Sequence, residues 1–600
     1  MPLITPAQLQ KKYDVIVVGS GAGGGQAAYT LTLEGIKVLM LEAGRNYVPE
    51  TDTPMFQPPE QAPLRAVGTM DKPFGFYDAT IDGGWEVPGE PYTSASADPA
   101  REFKWWRARM LGGRTNHWGR YSFRNGPYDF KPRSRDGLGF DWPIGYDDLA
   151  PYYDKVEMLI GVYGENDGLE NTPDSPAGVL LPPPKPRISE LLFQKRARPL
   201  GIPVVAAHRA VLSQRLDFDR LPAKLHPGNP FAQRLVRDSM EGRAACFWAT
   251  ECTRGCAIRA TYQSTTVHLP PAMASGNLDL VTNAMVREVT VGSDGKATGV
   301  AFIDKTTRQE YHAAGRVVVL AASSGETVRL LLNSRSTRFP HGLANSNGLV
   351  GKYIMDTVGA DLGGQIPALE SLPPHNEDGA GGAHVYAPWW LYQDQHAGKL
   401  DFARGYHIEF TGGRRLPGMG TISSWEWLTG GSYGRKFKEE ARRYYGSFVY
   451  FAGRGEMIPN EDSFCELDPM VKDKWGIPVL RFHWKWSEHE IRQAAHMQRT
   501  FADVITAMGG SPTSRPAADG TQAIKPGGYI IHEVGGALMG ADPAKSVTNQ
   551  WSQTWEVPNV FLADGAPFPS NADKNPTLTI MAQAWRAADY IVAELKKQNL

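Results

Sequence analysis

Two clusters in this sequence combine residue type and spacing in a way that implies chemistry. The first is the turn Gly19-Ser20-Gly21-Ala22-Gly23-Gly24, followed 23 residues beyond Gly19 by Glu42. Gly19 allows a tight turn, Gly21 lets the backbone approach a pyrophosphate, and Gly24 lets a helix pack closely on a strand. A diphosphate would rest on the free N–H groups and positive end of the helix that follows. Glu42 is spaced to bond a ribose hydroxyl, and a ligand-free glycine turn would not account for it. The second cluster is Cys246, Cys252 and Cys256, three of the four cysteines, spaced C-x5-C-x3-C. Thiolates this close are ligands for soft metals, as an iron–sulfur cluster or zinc. Zinc would want a fourth ligand, and no histidine lies between the cysteines or just after them. Reduced, buried thiols are the remaining alternative.

The elements that must position these residues follow from pattern. Val15-Ile16-Val17-Val18 is short, apolar and β-branched, as in a buried parallel strand. A helical pattern runs from about Gly25 to Glu34, and a second strand from Lys37 to Leu41 ends on Glu42. Strand, turn, helix, strand and acid together predict a dinucleotide site. A loop rich in proline and glycine runs from Asn46 to about Pro99. The segment Arg109 to Arg120 then holds Gly112-Gly113, where backbone N–H groups can approach a planar cofactor. The segment PYYDKVEMLIGV is expected to be a helix with its proline near the start. Leu181 to Pro186 reads as a crossing between domains. Asn277 to Ser334 alternates strand-like segments and ends in strand, small-residue turn and helix. From about Thr357 to Pro516 the sequence becomes aromatic and strand-rich (YAPWWLY, GYHIEF, SSWEW, VLRFHWKW). It predicts an antiparallel sheet with a helix from Glu488 to about Met508. The C-terminus returns to the first pattern with a strand at Val560 to Leu562 and a helix from Pro576 to Leu595.

Composition narrows the classes. Six hundred residues exceed what one hydrophobic core usually serves, so two domains or one elaborated domain are expected. A net charge of −1 gives no electrostatic case for nucleic acid or an anionic membrane surface. No run approaches the roughly 18 apolar residues of a transmembrane segment. The N-terminal MPLITPAQLQKKYD has neither an apolar h-region nor a twin arginine, so no export signal is expected on this chain. The 16 tryptophans and 23 tyrosines suit a sugar-binding cleft, although most must serve the core.

Four separated blocks, GSGAGGG…LEAG, GGRTNHWG, GLANSNGLVGKYIMD and HEVGGALMG…NPTLT, together resemble the glucose–methanol–choline (GMC) oxidoreductases, over nearly the whole chain. The resemblance implies an α/β FAD-binding domain of Rossmann-like, GMC type. It also implies an α+β substrate domain with an antiparallel sheet covering the flavin. The corresponding boundaries are 1–186, 277–356 and 517–600 for the FAD domain, and 187–276 and 357–516 for the substrate domain, with 246–256 a cysteine loop. FAD contacts implied on this chain are Gly19, Gly21, Ala22, Gly24, Glu42, Ala43, Gly112, Gly113, Asn116, His117, Val286, Ala321, Asp564, Pro576 and Thr577.

By the same resemblance His532 and Asn575 face the flavin N5. Oxidising an alcohol removes a proton from oxygen and a hydride from carbon. An imidazole suits the proton, and a neutral amide can hold the hydroxyl without competing for it. Asn575 precedes the last helix, whose N-terminus would favour negative charge on the reduced ring. His117 is similar to the histidine that bonds the flavin covalently in the pyranose oxidase branch. Here Thr115-Asn116-His117-Trp118 carries an inserted residue, so a non-covalent contact is expected instead.

The cysteine spacing is like that of the flavoprotein subunit of bacterial FAD-dependent glucose dehydrogenases, which implies a [3Fe–4S] cluster. Such relatives work with a small subunit bearing a twin-arginine signal and pass electrons to a cytochrome c. These imply a periplasmic location by co-export. No Cys-x-x-Cys-His is present, so any c-type haem belongs to another protein. The expected activity is oxidation of a sugar or glycoside, with C3 slightly favoured over C1. The alternatives are an oxygen-using pyranose or glycoside oxidase, and a flavin-binding scaffold without catalysis.

Overall fold

The computed structural model describes residues 3–52, 83–248, 255–372, 383–413 and 429–600. Its first sheet is centred on β1 (Tyr13–Val18), which is flanked in parallel by β2 (Val38–Leu41). β3 (Leu278–Val281) lies beyond β2, also parallel. Two long strands, β4 (Ala284–Val291) and β5 (Ala297–Asp304), form an antiparallel extension. They reach the parallel part through β6 (Glu310–Leu320), whose first half pairs with β5 and whose second half pairs with β1. The C-terminal strand Val560–Leu562 lies parallel on the other side of β6. Strand segments far apart in sequence thus make one sheet, because the β-branched runs of β1 and β6 are buried on both faces.

Helix α1 (Ala22–Leu33) starts earlier than the apolar pattern suggests, since Gly23, Gly24 and Gly25 carry no periodic signature but are all helical. The glycines are needed for closeness. A Cβ on Gly24 would stand 2.0 Å from Gly19 O, and one on Gly23 only 1.5 Å from Ala563 O. Gly19 itself has φ +98°, the left-handed region that favours glycine. The helix around PYYDKVEMLIGV also starts earlier, at Tyr146, and ends at Ile160 with Pro151 inside it. The real start is set by Asp148, whose carboxylate accepts from Gly145 N at 2.8 Å.

The second sheet is antiparallel throughout. Its main strands are β7 (Val358–Gln365), β8 (Val385–Ala387), β9 (Tyr406–Gly412) and β10 (Phe448–Gly455). Of the segment YAPWWLY only its first residues are strand; Tyr392–His396 is a short helix. SSWEW lies outside the described residues. After β6 comes α2 (Ser324–Asn333). Helix α3 (Glu488–Ala507) crosses the second sheet, where Gly453 and Gly455 leave room for Met497 and Gln493. The last helix, α4 (Thr577–Lys596), packs against α1 near Gly23. Among the described residues, no helix is long and apolar enough to cross a membrane.

Candidate active site

At the nucleotide end, β1 delivers the turn and α1 begins at Ala22, directly after Gly21. A Cβ at Gly21 would meet nothing within 4 Å, so this is an open cradle, whereas Gly19, Gly23 and Gly24 are filled by the protein itself. That difference fits a diphosphate approaching the backbone at Gly21. The Glu42 carboxylate already accepts from Ser20 N at 3.1 Å, Ser20 Oγ at 2.5 Å and Gly44 N at 2.7 Å. These bonds aim it at the turn from the end of β2. Ser20 Oγ in turn accepts from Gly112 N at 2.8 Å, which brings the Gly112-Gly113 loop against the turn. Ala43 follows Glu42, and Lys305 Nζ donates to its carbonyl; Ala284 N donates to Glu42 O, and Val286 is two residues further along β4. Ala321 ends β6 beside Gly19. Asp564 follows the strand Val560–Leu562 and accepts from Thr327 Oγ1 at 2.5 Å and Ala566 N at 2.9 Å. Burial pushes its carboxyl up to about 6.

Asn116 and His117 sit on the same loop. Trp106 Nε1 donates to His117 Nε2 at 2.9 Å, while His117 Nδ1 is buried without a partner among the described residues. Burial, with Arg114 and Arg120 nearby, lowers this imidazole to about 3, so it is neutral, with its proton on Nδ1.

The catalytic end is assembled from remote segments. His532 and Asn575, 43 residues apart, meet with Asn575 Nδ2 at 3.3 Å from His532 Nε2. Asp356 holds the His532 backbone by accepting from Ile530 N at 3.2 Å and His532 N at 2.9 Å. Burial, and Glu533 close by, raise the Asp356 carboxyl to about 7. Thr357 Oγ1 is 3.1 Å from His532 Nδ1. Arg114, on the same loop as Gly112, donates to Ile531 O at 3.3 Å and pairs with Glu533 at 2.7 Å. The Gly112-Gly113 loop and the histidine segment are thereby clamped together. Burial lowers the His532 imidazole to about 3, helped by Arg454 and opposed by Glu409, so it is a neutral base at physiological pH.

Asn575 is fixed from the chain before it. Lys574 Nζ reaches Asp129 at 3.1 Å and Asp573 at 2.6 Å, and Glu456 close by pairs with Arg135 at 3.0 Å. This buried ionic cluster anchors the step into α4, whose first residues are Pro576 (its N-cap) and Thr577. Glu409 on β9 accepts from Asn575 Nδ2 at 3.3 Å and from Arg454 at 3.0 Å. A small, open cleft adjoins this end, lined by Phe123, Tyr386, His407, Asp573 and Lys574 among others. Phe123 and Tyr386 stack at 4.2 Å between ring centroids.

Asp356, Thr357, Glu409 and Arg454 had no signal in the sequence. They are neighbours of the His532–Asn575 pair only through the meeting of the two sheets. Asp356 alone ends a recognised block, GLVGKYIMD, without any hint there of what it holds.

Cys246 is half-buried and Cys256 buried; Cys252 lies outside the described residues. Cys246 Sγ accepts from Trp248 N at 3.3 Å. Cys256 N donates to Gln263 Oε1 at 3.2 Å, and Gln263 Nε2 donates to Asn116 Oδ1 at 3.1 Å. The cysteine loop is therefore tied by one buried side chain to the loop that carries His117.

Comparison with known proteins agrees with this geometry. Family models described as GMC oxidoreductase match residues 226–362 and 459–584. The chain is 31% identical to a 2-methyl-1,2-propanediol dehydrogenase of Mycolicibacterium austroafricanum, over 96% of this chain and 95% of that protein. It is 29% identical to the fructose dehydrogenase large subunit of Gluconobacter japonicus, over 97% and 98%. In fold it is similar to the formate oxidase of Aspergillus oryzae RIB40, with a TM-score of 0.62 at 13% identity, covering 98% of this chain and all of that one. Turn, clamp and His–Asn pair thus stand in the order and placement of an FAD-dependent enzyme, and the chain belongs to the GMC oxidoreductase family.

Proposed function

We propose that this enzyme oxidises a secondary hydroxyl of a sugar, polyol or glycoside to a carbonyl. The observation that carries this reading is the pair of half-buried His532 and buried Asn575, with a neutral imidazole Nε2 presented beside an amide. Its full-length similarity to dehydrogenases named for a diol and for fructose supports a polyhydroxylated substrate; the choice of a secondary hydroxyl is our own, since the named diol carries only a primary and a tertiary one. FAD, when bound, accepts the hydride that leaves the carbinol carbon. His532 Nε2 takes the hydroxyl proton as the C=O bond forms, and Asn575 beside it orients the substrate. Thr357 and Asp356 keep the imidazole in place as it becomes charged. Within the class we favour C3 of a ring over C1, because the segment GGRTNHWGRYSFR is more like that of the glycoside 3-dehydrogenases.

We further propose that Cys246, Cys252 and Cys256 hold a [3Fe–4S] cluster, which would supply one-electron transfer to an external acceptor such as a cytochrome c. Sulfur donors, the Trp248 N–H on Cys246 and the Gln263 link to Asn116 fit that role. A small partner subunit bearing a twin-arginine signal, and export with it to the periplasm, complete the reading; one relative is itself the large subunit of its enzyme.

The test is anaerobic bleaching of the flavin by D-glucose, D-fructose and methyl glucosides, with the new carbonyl located in each product. Iron and acid-labile sulfide are measured in parallel, before and after Cys252→Ser. Bleaching by none of these compounds overturns the substrate class. Iron-free protein that forms peroxide in proportion to sugar consumed overturns the cluster and makes the enzyme an oxidase.

A further inference from the structure

Glu409 lies in the middle of β9 with only 8% of its surface exposed, beside the His532–Asn575 pair. Its two oxygens are fully directed. Oε2 meets Arg454 Nη2 at 3.0 Å; Oε1 meets Asn575 Nδ2 at 3.3 Å and His407 Nε2 at 3.6 Å. Arg454 sits on the neighbouring strand β10, in register opposite His407. The guanidinium, with His407, outweighs burial and lowers the Glu409 carboxyl to about 2, so the group is an anion across the working pH range.

A carboxylate is an acceptor only, while a primary amide has a donor end and an acceptor end. Turning the Asn575 amide over would set its oxygen against Glu409 Oε1, two acceptors with no proton between them. The NH2 group must therefore face Glu409. The same nitrogen is 3.3 Å from His532 Nε2, so its second hydrogen points at that ring nitrogen, which has to be unprotonated. The ring proton then belongs to Nδ1, where Thr357 Oγ1 lies at 3.1 Å to accept it. Asn575 Oδ1 is left buried with no partner among the described residues.

We propose that Glu409 is a positioning residue for the oxidising pair. By fixing the Asn575 amide it selects the His532 tautomer that can accept a proton, and it leaves Asn575 Oδ1 as a second acceptor for a substrate hydroxyl. Its fixed charge also favours the imidazolium that forms on proton transfer. The other charged or titratable groups about His532 are Arg454, His407, Arg114, Asp356 and Glu533. The inference rests on the reading that His532 and Asn575 are the reacting pair, but its test does not require the substrate.

The experiment is ¹⁵N spectroscopy of histidine-labelled, flavin-loaded protein at neutral pH, with the His532 signals assigned by their loss in His532→Asn. Wild-type protein should show one tautomer, protonated at Nδ1. In Glu409→Gln either end of the amide can face the new side chain, so a second population protonated at Nε2 should appear. Glu409→Gln/Arg454→Met, which leaves no unpaired cation behind, should show the same second population, and Glu409→Asp should largely restore the single tautomer. Flavin absorbance and melting temperature establish that each variant is folded. A single Nδ1 tautomer in both Glu409→Gln variants overturns the proposal. So does a second population that vanishes in the double variant, since Arg454 alone would then be its cause. Failure of the substrate reading would show separately, as absence of flavin bleaching in a protein whose tautomer still responds to Glu409.

Discussion

At the nucleotide turn, the unit is contiguous in sequence from Val15 to Glu42, and the space left around its glycine backbone decides what can approach. At the His532–Asn575 pair the partners are side chains drawn from remote positions, Arg114, Asp356, Glu409 and Arg454, spread over more than half the chain. The turn can therefore fail in two ways, by steric filling of its fold or of its ligand cradle. The catalytic end fails by losing a proton acceptor while its frame stands.

The largest effect should come from filling the fold. Gly23→Ala places a Cβ 1.5 Å from Ala563 O, a backbone atom that cannot step aside, so α1 must separate from the C-terminal strand. The expected result is insoluble protein or loss of the cooperative melt, since even ordinary overpacking costs about 1–3 kcal/mol. Gly21→Val should behave in the opposite way. Its side chain enters open space, so the apoprotein should melt much as wild type does, but purify with little flavin. Full flavin occupancy in Gly21→Val would move the diphosphate away from this turn.

At the other end, His532→Ala should slow flavin reduction by about 10²-fold or more with flavin occupancy unchanged, the size expected for losing a general base. Stopped-flow reduction at neutral pH checks it, and a near-normal rate would remove His532 from the reaction.

A smaller effect sharpens the cost of burying so many neutral rings. His117, His226, His268, His384, His496 and His532 are all lowered, to about 3 or 4, with burial the first cause in each. Between pH 6.5 and 4 the unfolded chain binds protons on these rings that the folded chain does not, so stability falls as pH falls. Asp129, Asp356 and Asp564, raised to about 6 or 7, act in the opposite sense, holding protons when folded. Six groups outnumber three, so the melting temperature should drop by on the order of 5 °C from pH 6.5 to 5. An acid-side rise instead would mean that the carboxyls dominate.

The sequence by itself determined the strand–turn–helix–strand unit with Glu42, because hydrophobic period, glycine and spacing are local properties written in consecutive residues. It also singled out through motif blocks His532 and Asn575, which the structure brings together, and predicted the antiparallel character of the second sheet through its aromatic, strand-rich segments. Helix starts were misread where glycines or a cap acid, rather than apolar period, set them, as at Ala22 and Tyr146. Only the tertiary structure decided that Gly23 is filled by Ala563 while Gly21 stays open, since the two are indistinguishable as letters. It alone brought Asp356 beneath the His532 backbone and Glu409 against Asn575. A buried carboxylate has no periodic signature; its role is set by which donor the folded chain places opposite it, and here Asn575 lies 166 residues from Glu409 and His532 lies 176 from Asp356.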